Sequence, residues 1–484
     1  MLPPHKTKIV CTIGPACDSP AVLEQMVRAG MDIARLNLSH GSLDSHRTLV
    51  ENVRAAARTA GKRVAIMADL PGPKMRIGKL AEEPVALHPG DTFVLTTEDI
   101  VGDEGKAAVT FQKLPEAVKP GDTLFLNDGI IQLAVTSVEG KAVTCRVVVG
   151  GELRSGKGLN LPGIALGISA FTERDRTWLN FAAAERIDAV SQSFVETRAD
   201  IDAVRRAADA LGYHPFVIAK IERSNALAHM HDILEAADGI MIARGDLGVE
   251  VPIERIAVIQ KTLMRQANRR AKPVITATQM LQSMTRSKRP TRAEVTDVSN
   301  AILDGTDGVM LSEESAMGDF PVDAVGMLAK IAEAVEPHRK RVTVQEMYEG
   351  IDLRGALRPA HLIAVGVEAS LEYTSPAAIF VPSRRGATAR RLSVFKPPVW
   401  IIAVSSTEKT CQELLFSYGV YAAHEQEMPD DWTSYVKRWV KAHGLAGEMA
   451  VLTEGPSPEH PDANHRMEII ELGKQGRGGA AAHK

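Results

Sequence analysis

A short apolar run rich in β-branched residues, followed by a helical stretch of ten or more residues, recurs along this chain. The number of recurrences restricts the fold. The first three runs are Lys8-Ile9-Val10-Cys11-Thr12-Ile13, Asp32-Ile33-Ala34-Arg35-Leu36-Asn37 and Arg63-Val64-Ala65-Ile66-Met67-Ala68, with helices expected from Pro20 to Ala29 and onward to about Ala60. Five more follow: Ile187–Ser191, Phe216–Lys220, Gly239–Ala243, Pro273–Ala277 and Gly308–Leu311. Strands separated by helices pair in parallel, because a parallel partner can be reached only through a crossover. Eight strand–helix units predict a closed (β/α)8 TIM barrel. The open doubly wound sheet is the alternative, and it calls for a Gly-rich phosphate turn after the first strand. Gly14-Pro15 is not such a turn.

The third and fourth runs are far apart, and the sequence between them has a different character. Pro89-Gly90-Asp91-Thr92 and Pro120-Gly121-Asp122-Thr123 are near-identical turn signals, each leading into an apolar run, and Asn127-Asp128-Gly129 is a hairpin cue. This block reads as a small all-β unit inserted after the third strand. Beyond the barrel, Ala377–Val381, Val399–Val404 and Glu448–Leu452 start a second, smaller α/β alternation. The expected boundaries are 1–69 for the first part of the barrel and 70–170 for the inserted unit. The second part of the barrel is expected at 171–341, and the C-terminal α/β domain at 342–472. A Gly/Ala-rich tail at 473–484 is expected to be disordered.

Composition excludes several classes of function. The net charge of −3 argues against sequence-blind binding to nucleic acid. No apolar run approaches the roughly 20 residues that span a bilayer. The first residues lack an apolar signal core, so a cytoplasmic location is expected. Four cysteines in 484 residues do not make a disulfide framework, and none has zinc-site spacing.

Polar residues collect at the C-terminal ends of the predicted barrel strands, where barrel enzymes build their sites. They are Arg35, Asn37, Ser39 and His40; Asp69; Lys220 and Glu222; Arg244, Gly245 and Asp246; Thr278; and Ser312, Glu313 and Glu314. Taken singly, each is more often a salt bridge or a cap. Together they are compatible. Residues two apart share a strand face, so Lys220 and Glu222 project together, as do Arg35 and Asn37. Glu222 and Asp246 offer an oxygen-only donor pair suited to Mg²⁺ or Mn²⁺. Arg35 and Lys220 add fixed positive charge, which is what phosphoryl transfer requires. Backbone N–H groups at Gly245 and Asp246, opening a helical turn, are expected to be free for a carboxylate or phosphate. No Walker loop is present. Arg244-Gly245-Asp246 also spells an adhesion tripeptide, a reading that finds no support in a chain without a secretion signal.

From about Lys6 to Leu472 the chain resembles the pyruvate kinase family. The matching stretches are Lys8–Ala16, Ala34–Gly41, Lys220-Ile221-Glu222, Ile242–Gly248, Ala277–Leu281 and Pro290–Glu294. The resemblance implies a TIM barrel, a small β-barrel lid inserted in it and a C-terminal α/β regulatory domain. It also implies conversion of phosphoenolpyruvate and ADP to pyruvate and ATP, usually in a homotetramer. Carried over by position, Lys220 and Arg35 serve the transferring phosphoryl group, and Glu222 and Asp246 hold the Mg²⁺. Gly245 and Asp246 receive the substrate carboxylate. Arg76 and Lys157, with Asn37 and His40, face the nucleotide. Thr278 is linked to protonation of the enolate, here expected through a water relay because a hydroxyl is a weak acid. A metabolite sensor without catalysis is disfavoured by the intact site residues. Another phosphoenolpyruvate-handling barrel would not account for the insert or for Lys157.

Two departures from the family pattern carry expectations. Where K⁺-dependent members have Glu after the strand-three Asp, this chain has Lys74, whose ammonium can supply the charge of K⁺. K⁺ is therefore expected to be unnecessary, although Asn37, Ser39 and Asp69 remain as ligands of a former cation site. The loop Ser383-Arg384-Arg385-Gly386-Ala387-Thr388 keeps only part of the family's bisphosphate-binding pattern. Ser383, Arg384, Arg385 and Thr388 are thus candidates for a sugar-monophosphate or nucleotide effector, with a solvated basic loop as the alternative.

Overall fold

The structure is a computed structural model, which describes residues 2–340, 342–347, 359–456 and 464–473. Eight parallel strands close into a ring in which each strand pairs with its sequence neighbours and the first pairs with the last. They are Lys8–Ile13, Ile33–Asn37, Ala65–Leu70, Ala189–Gln192, Phe216–Ile221, Gly239–Ala243, Val274–Ala277 and Gly308–Leu311. Alternate residues explain the two apolar layers. On the first strand, Ile9, Cys11 and Ile13 pack outward under the helices. Val10 points into the barrel interior with Ile33, Met67, Ile218, Met241, Ile275 and Met310.

Helix ends are set by side chains that satisfy unpaired backbone groups. Ser19 caps Pro20–Ala29, where a proline occupies the first turn. Ser42 and Ser45 form a reciprocal cap for Leu43–Ala60, which Gly61 ends at φ 63°. Thr172 and Asp175 do the same for Glu173–Ala184. Asp175 has a second duty, since its other oxygen accepts the Gly72 N–H at 3.0 Å. The chain leaves the barrel at Gly72 and re-enters it at Thr172, so one carboxylate clasps both ends of the insert.

The insert has its own core, built around Phe93, Leu95, Leu124, Leu126, Ile131, Leu133 and Val143. Its strands form a six-stranded sheet and a two-stranded ribbon. The segment Arg76–Leu80 bridges to Gly158 on one side and to Val109 and Gly102 on the other, which draws the two sheet edges into a small barrel. Both Pro-Gly-Asp-Thr signals are turns. Gly90 and Gly121 have φ of 96° and 95°, and the Asp91 and Asp122 carboxylates each accept a backbone N–H at 2.9 Å. At the hairpin, Asn127, Asp128 and Gly129 all have positive φ.

The C-terminal domain is a five-stranded sheet rather than the three strands expected from sequence. The additional strands, Val420–His424 and Arg466–Glu471, lie at the two edges, and Arg466–Glu471 runs antiparallel. Arg466–Glu471 mixes charged and apolar residues, which hides it from a hydrophobicity reading, whereas Val420-Tyr421-Ala422-Ala423 is a short apolar run soon after the apolar turn Leu414–Phe416. This domain seals the N-terminal end of the barrel. Leu415 and Phe416 enter the barrel's interior cluster, and Phe416 stacks on Phe216 with ring centroids 5.0 Å apart. A buried ion pair, Lys396–Asp307 at 2.7 Å, adds to the junction.

The cysteines Cys11, Cys17, Cys145 and Cys411 are buried and free. Among the described residues no helix is long and apolar enough to cross a membrane. Of the tail expected to be disordered, residues 474–484 lie outside the described residues.

Arg223, only 1% exposed, ties the insert to the barrel. It pairs with Glu196 at 3.0 Å and Glu250 at 3.1 Å, and it donates to the Ile164 carbonyl at 2.6 Å. Arg223→Met should lower stability by about 3–5 kcal/mol, because Glu250 is left buried without its cation. Urea unfolding of the full chain measures this, and a loss below about 1 kcal/mol would contradict it.

Candidate active site

The site is built from the C-terminal end of the barrel around one buried carboxylate. Asp69, 3% exposed, accepts the Arg35 Nε–H at 2.9 Å and also pairs with Arg35 Nη2. Its other oxygen accepts the Ser191 hydroxyl at 2.8 Å, and Lys220 Nζ lies 3.3 Å away. Arg35 donates in turn to the Thr12 hydroxyl at 2.8 Å, and Thr12 to the Leu311 carbonyl at 2.9 Å. One network thus links strands one to five and reaches the eighth. Burial would raise the Asp69 pKa, but the charges of Lys220 and Arg35 and the Ser191 hydrogen bond hold it at about 2. Burial disfavours the Lys220 ammonium, yet Asp69 and Glu222 outweigh it and move its pKa upward. Lys220 is therefore a fixed cation.

Lys220 and Glu222 meet at 2.7 Å, and Lys220 also donates to Ser193 Oγ at 2.7 Å. The second Glu222 oxygen accepts the Phe194 N–H at 2.8 Å. Phe194 adopts φ 59°, a strained conformation for a bulky residue that aims this N–H at the carboxylate. Asp246 faces the open cleft, yet protein crowds its carboxyl. That loss of water, together with the charge of Glu222, pushes its pKa up to about 6. Two carboxylates that repel each other in this way fit a cation between them. Among the described residues no three His, Cys, Asp or Glu side chains cluster as a complete metal cage. Glu222 and Asp246 would therefore hold a hard divalent ion whose other ligands come from substrate and water.

At the sixth and seventh strands one expectation is corrected. The Gly245 N–H is not free, because it donates to Thr278 Oγ1 at 2.7 Å. The Thr278 hydroxyl in turn donates to the Ala277 carbonyl at 2.6 Å. The cause is the turn after the seventh strand, where Thr278 and Gln279 have φ of 69° and 53° and swing the hydroxyl toward Gly245. Arg244 pins that turn through the Thr278 carbonyl at 2.9 Å and is itself anchored on Asp297 at 2.7 Å. A Cβ at position 245 would rest in ordinary van der Waals contact with the Thr278 side chain, 3.6 Å away. At strand eight, Glu314 is structural: it is fully buried and accepts the Leu281 and Ser312 N–H groups at 3.0 and 2.7 Å.

The rim is cationic. The pKa of His40 is lowered by loss of water and by the charges of Lys74, Arg76, Arg174 and Arg35 around it. Lys74 is likewise lowered, by loss of water and by Lys220, so it lies within the field of the site. Arg76 bridges to Gly158 and donates to the Gly156 carbonyl at 2.8 Å, which brings it beside Lys157. Asn37 Oδ1 accepts the Ser39 N–H at 3.2 Å. The insert reaches over the cleft: a Cβ at Gly129 would come within 3.2 Å of Val249. Thr12, Ser191, Ser193, Phe194 and Arg174 were not singled out as site residues from the sequence, and Arg244 was read only as a strand-end residue without a role. Of these, Thr12 lies inside the first predicted strand and Ser191 ends the fourth, so both carried a positional signal. The C-terminal loop is separate from this mouth. There Ser383 Oγ accepts the Gly386 N–H at 2.9 Å, and Arg384 and Arg385 are exposed.

A closed barrel with a cationic mouth, a carboxylate pair and a β lid defines an enzyme that handles phosphorylated anions. Comparison with known proteins narrows the class. The family model described as pyruvate kinase, barrel domain, matches residues 4–325, and the one described as pyruvate kinase, alpha/beta domain, matches residues 362–470. The pyruvate kinase of Thermococcus litoralis is 49% identical over 97% of this chain and 99% of its own length. That of Geobacillus stearothermophilus is 39% identical over 96% of this chain and 80% of its own length. The crystal structure of a pyruvate kinase from Cryptosporidium parvum superposes with a TM-score of 0.90 at 32% identity, covering 97% of this chain and 96% of that one. The chain belongs to the pyruvate kinase family.

The Asp69 carboxylate gives a pH test. Its folded pKa of about 2 lies below the ordinary 3.8, so its contribution is complete above pH 4 and is lost as pH falls through 2. The stability difference between wild type and Asp69→Asn should narrow by about 2 kcal/mol across that window. Denaturant titrations at stepped pH measure it, and a difference independent of pH would refute the assignment.

Proposed function

We propose that this chain transfers the phosphoryl group of phosphoenolpyruvate to ADP, giving pyruvate and ATP. The observation that carries the reading is the convergence of Arg35, Lys220, Glu222 and Asp246 on one point of the barrel mouth, with Thr278 beside it and Arg76 and Lys157 on the lid. In the reaction the P–O bond to the enol oxygen breaks, and a bond forms from phosphorus to a terminal oxygen of ADP. The enolate left behind takes a proton at carbon and becomes pyruvate. Mg²⁺ or Mn²⁺, bound at Glu222 and Asp246, would supply concentrated positive charge to the substrate oxygens. Arg35 and Lys220 are already charged and held in place by Asp69, so they neutralise the phosphoryl group in flight with little reorganisation. Arg76 and Lys157, with Asn37 and His40, orient the nucleotide phosphates, and the lid excludes water.

The substrate carboxylate is received at Gly245 and Asp246. For the Gly245 N–H to take part, the Thr278 hydroxyl must give up its present acceptor role, and substrate binding and release of Thr278 are then one event. The freed hydroxyl can pass a proton through water to the enolate. Thr278→Ala should lower kcat at least tenfold with a smaller effect on the KM for phosphoenolpyruvate. Unchanged turnover would remove Thr278 from the proton path.

Lys74 supports independence from K⁺, because its ammonium enters the same electrostatic field as Lys220 and Asp69. Pyruvate formation with Mg²⁺ and ADP should be equal in Na⁺ and K⁺ buffers, and Lys74→Glu should create a K⁺ requirement. Activity that needs K⁺ in the wild type would overturn the role of Lys74 and leave the reaction intact. Family resemblance further supports a homotetramer in the cytoplasm. The exposed Arg384 and Arg385, with Ser383 and Thr388, fit a sugar-monophosphate or nucleotide effector.

A further inference from the structure

Where the insert rejoins the barrel, Arg174 stands between Thr172 and Asp175, the two residues of the reciprocal cap. The cap fixes its backbone, and its exposed side chain reaches across to the loop after the second strand, donating through Nη2 to the Ser39 carbonyl at 3.1 Å. The acids beside it in the chain are committed elsewhere. Asp175 spends one oxygen on the Gly72 N–H and the other on the Thr172 N–H and hydroxyl. Glu173 pairs with Arg176 at 3.3 Å. Arg174 itself forms no ion pair among the described residues. A guanidinium carries five N–H donors in a planar fork, so most of this one is left for solvent or for a ligand.

The surroundings of this guanidinium are positive. After loss of water, the charges acting on His40 are those of Lys74, Arg76, Arg174 and Arg35. Like charges gathered on one rim repel one another, and a polyanion placed among them offsets that repulsion. The segment from Arg35 to His40 gives the anion a direction. Arg35 faces the phosphoryl group in transit, so cations grouped about His40 meet the part of the acceptor closest to that group. For a nucleoside diphosphate this part is the outer phosphate, whose oxygens match a planar fork of donors. We propose that Arg174 is a further nucleotide-binding residue, which grips the outer phosphate of ADP while Ser39 holds one of its donors. The assignment rests on the kinase reading and deepens it, since it ties the charge of the nucleotide to the base of the lid as well as to Arg76 and Lys157 on the lid itself.

The test is calorimetric titration of the full chain with ADP and with AMP in Mg²⁺ buffer, beside steady-state kinetics. Arg174→Gln should weaken ADP binding at least fivefold and AMP binding less than twofold. The KM for ADP should rise with the ADP dissociation constant, while the KM for phosphoenolpyruvate stays within twofold. Arg176→Gln removes a charge two positions away on the same helix and should leave ADP binding within twofold. If Arg174 merely braces Ser39, ADP and AMP should weaken together, and that result would overturn the contact. Unchanged ADP binding in Arg174→Gln, or an equal loss in Arg176→Gln, would overturn it as well. A wild-type chain that binds ADP without forming pyruvate would sink the kinase reading, whereas the heats of ADP and AMP binding judge Arg174 without reference to turnover.

Discussion

Asp69 carries a negative charge where there is almost no water, and it is tolerated there because Arg35, Lys220 and Ser191 surround it. The dependence runs both ways. Without Asp69, Arg35 and Lys220 would be buried cations with reason to lose their charge or turn outward. With it, they stay charged and aimed at the mouth before any substrate arrives. Lys220 then passes the constraint on to Glu222, and Phe194 fixes the far oxygen of that carboxylate. The geometry of the mouth is therefore a chain of charge-assisted hydrogen bonds strung across neighbouring strands, with rigidity supplied by the barrel beneath it.

Most of the barrel was legible in the sequence because its strands are buried on both faces and read as continuous apolar runs. The strand-end residues were legible for a related reason: a polar residue directly after such a run has few places to go except the rim. Of the two edge strands of the C-terminal domain, Arg466–Glu471 gave no such signal because it mixes charged and apolar residues, while the apolar run Val420-Tyr421-Ala422-Ala423 is too short and too close to Leu414–Phe416 to stand out as a separate strand. The turn at Thr278 and Gln279 was hidden as well. Its positive φ values depend on Arg244, thirty-four positions earlier, and no local propensity encodes a conformation imposed from that distance. Arg174, Ser193 and Phe194 lie outside any recognisable motif and became visible only when the fold brought them to Ser39, Lys220 and Glu222.

The floor of the barrel shows that the C-terminal domain is no appendage. Phe416 belongs to the same apolar cluster as Val10 and Met310, and Lys8 reaches across to the Val420 carbonyl at 2.9 Å. Removing this domain would open the barrel's interior to solvent. Its orientation is fixed by packing of core quality, so a displacement of the domain must be felt at the lower ends of the strands that carry Lys220 and Thr278 at their upper ends.

The clasp at Asp175 separates the folding of two bodies that share one chain. Because Gly72 and Thr172 are held by the same carboxylate, the barrel meets the insert only as a pair of adjacent anchor points. Closing a loop between fixed, neighbouring ends costs an amount that grows only slowly with what lies between them. The ring of strands is thus nearly indifferent to the size and shape of the excursion, provided that the excursion buries its own apolar residues, as this one does around Phe93 and Leu133. In evolutionary terms the lid is an exchangeable cassette: its sequence can drift, lengthen or be replaced while the barrel that carries the charges keeps its register.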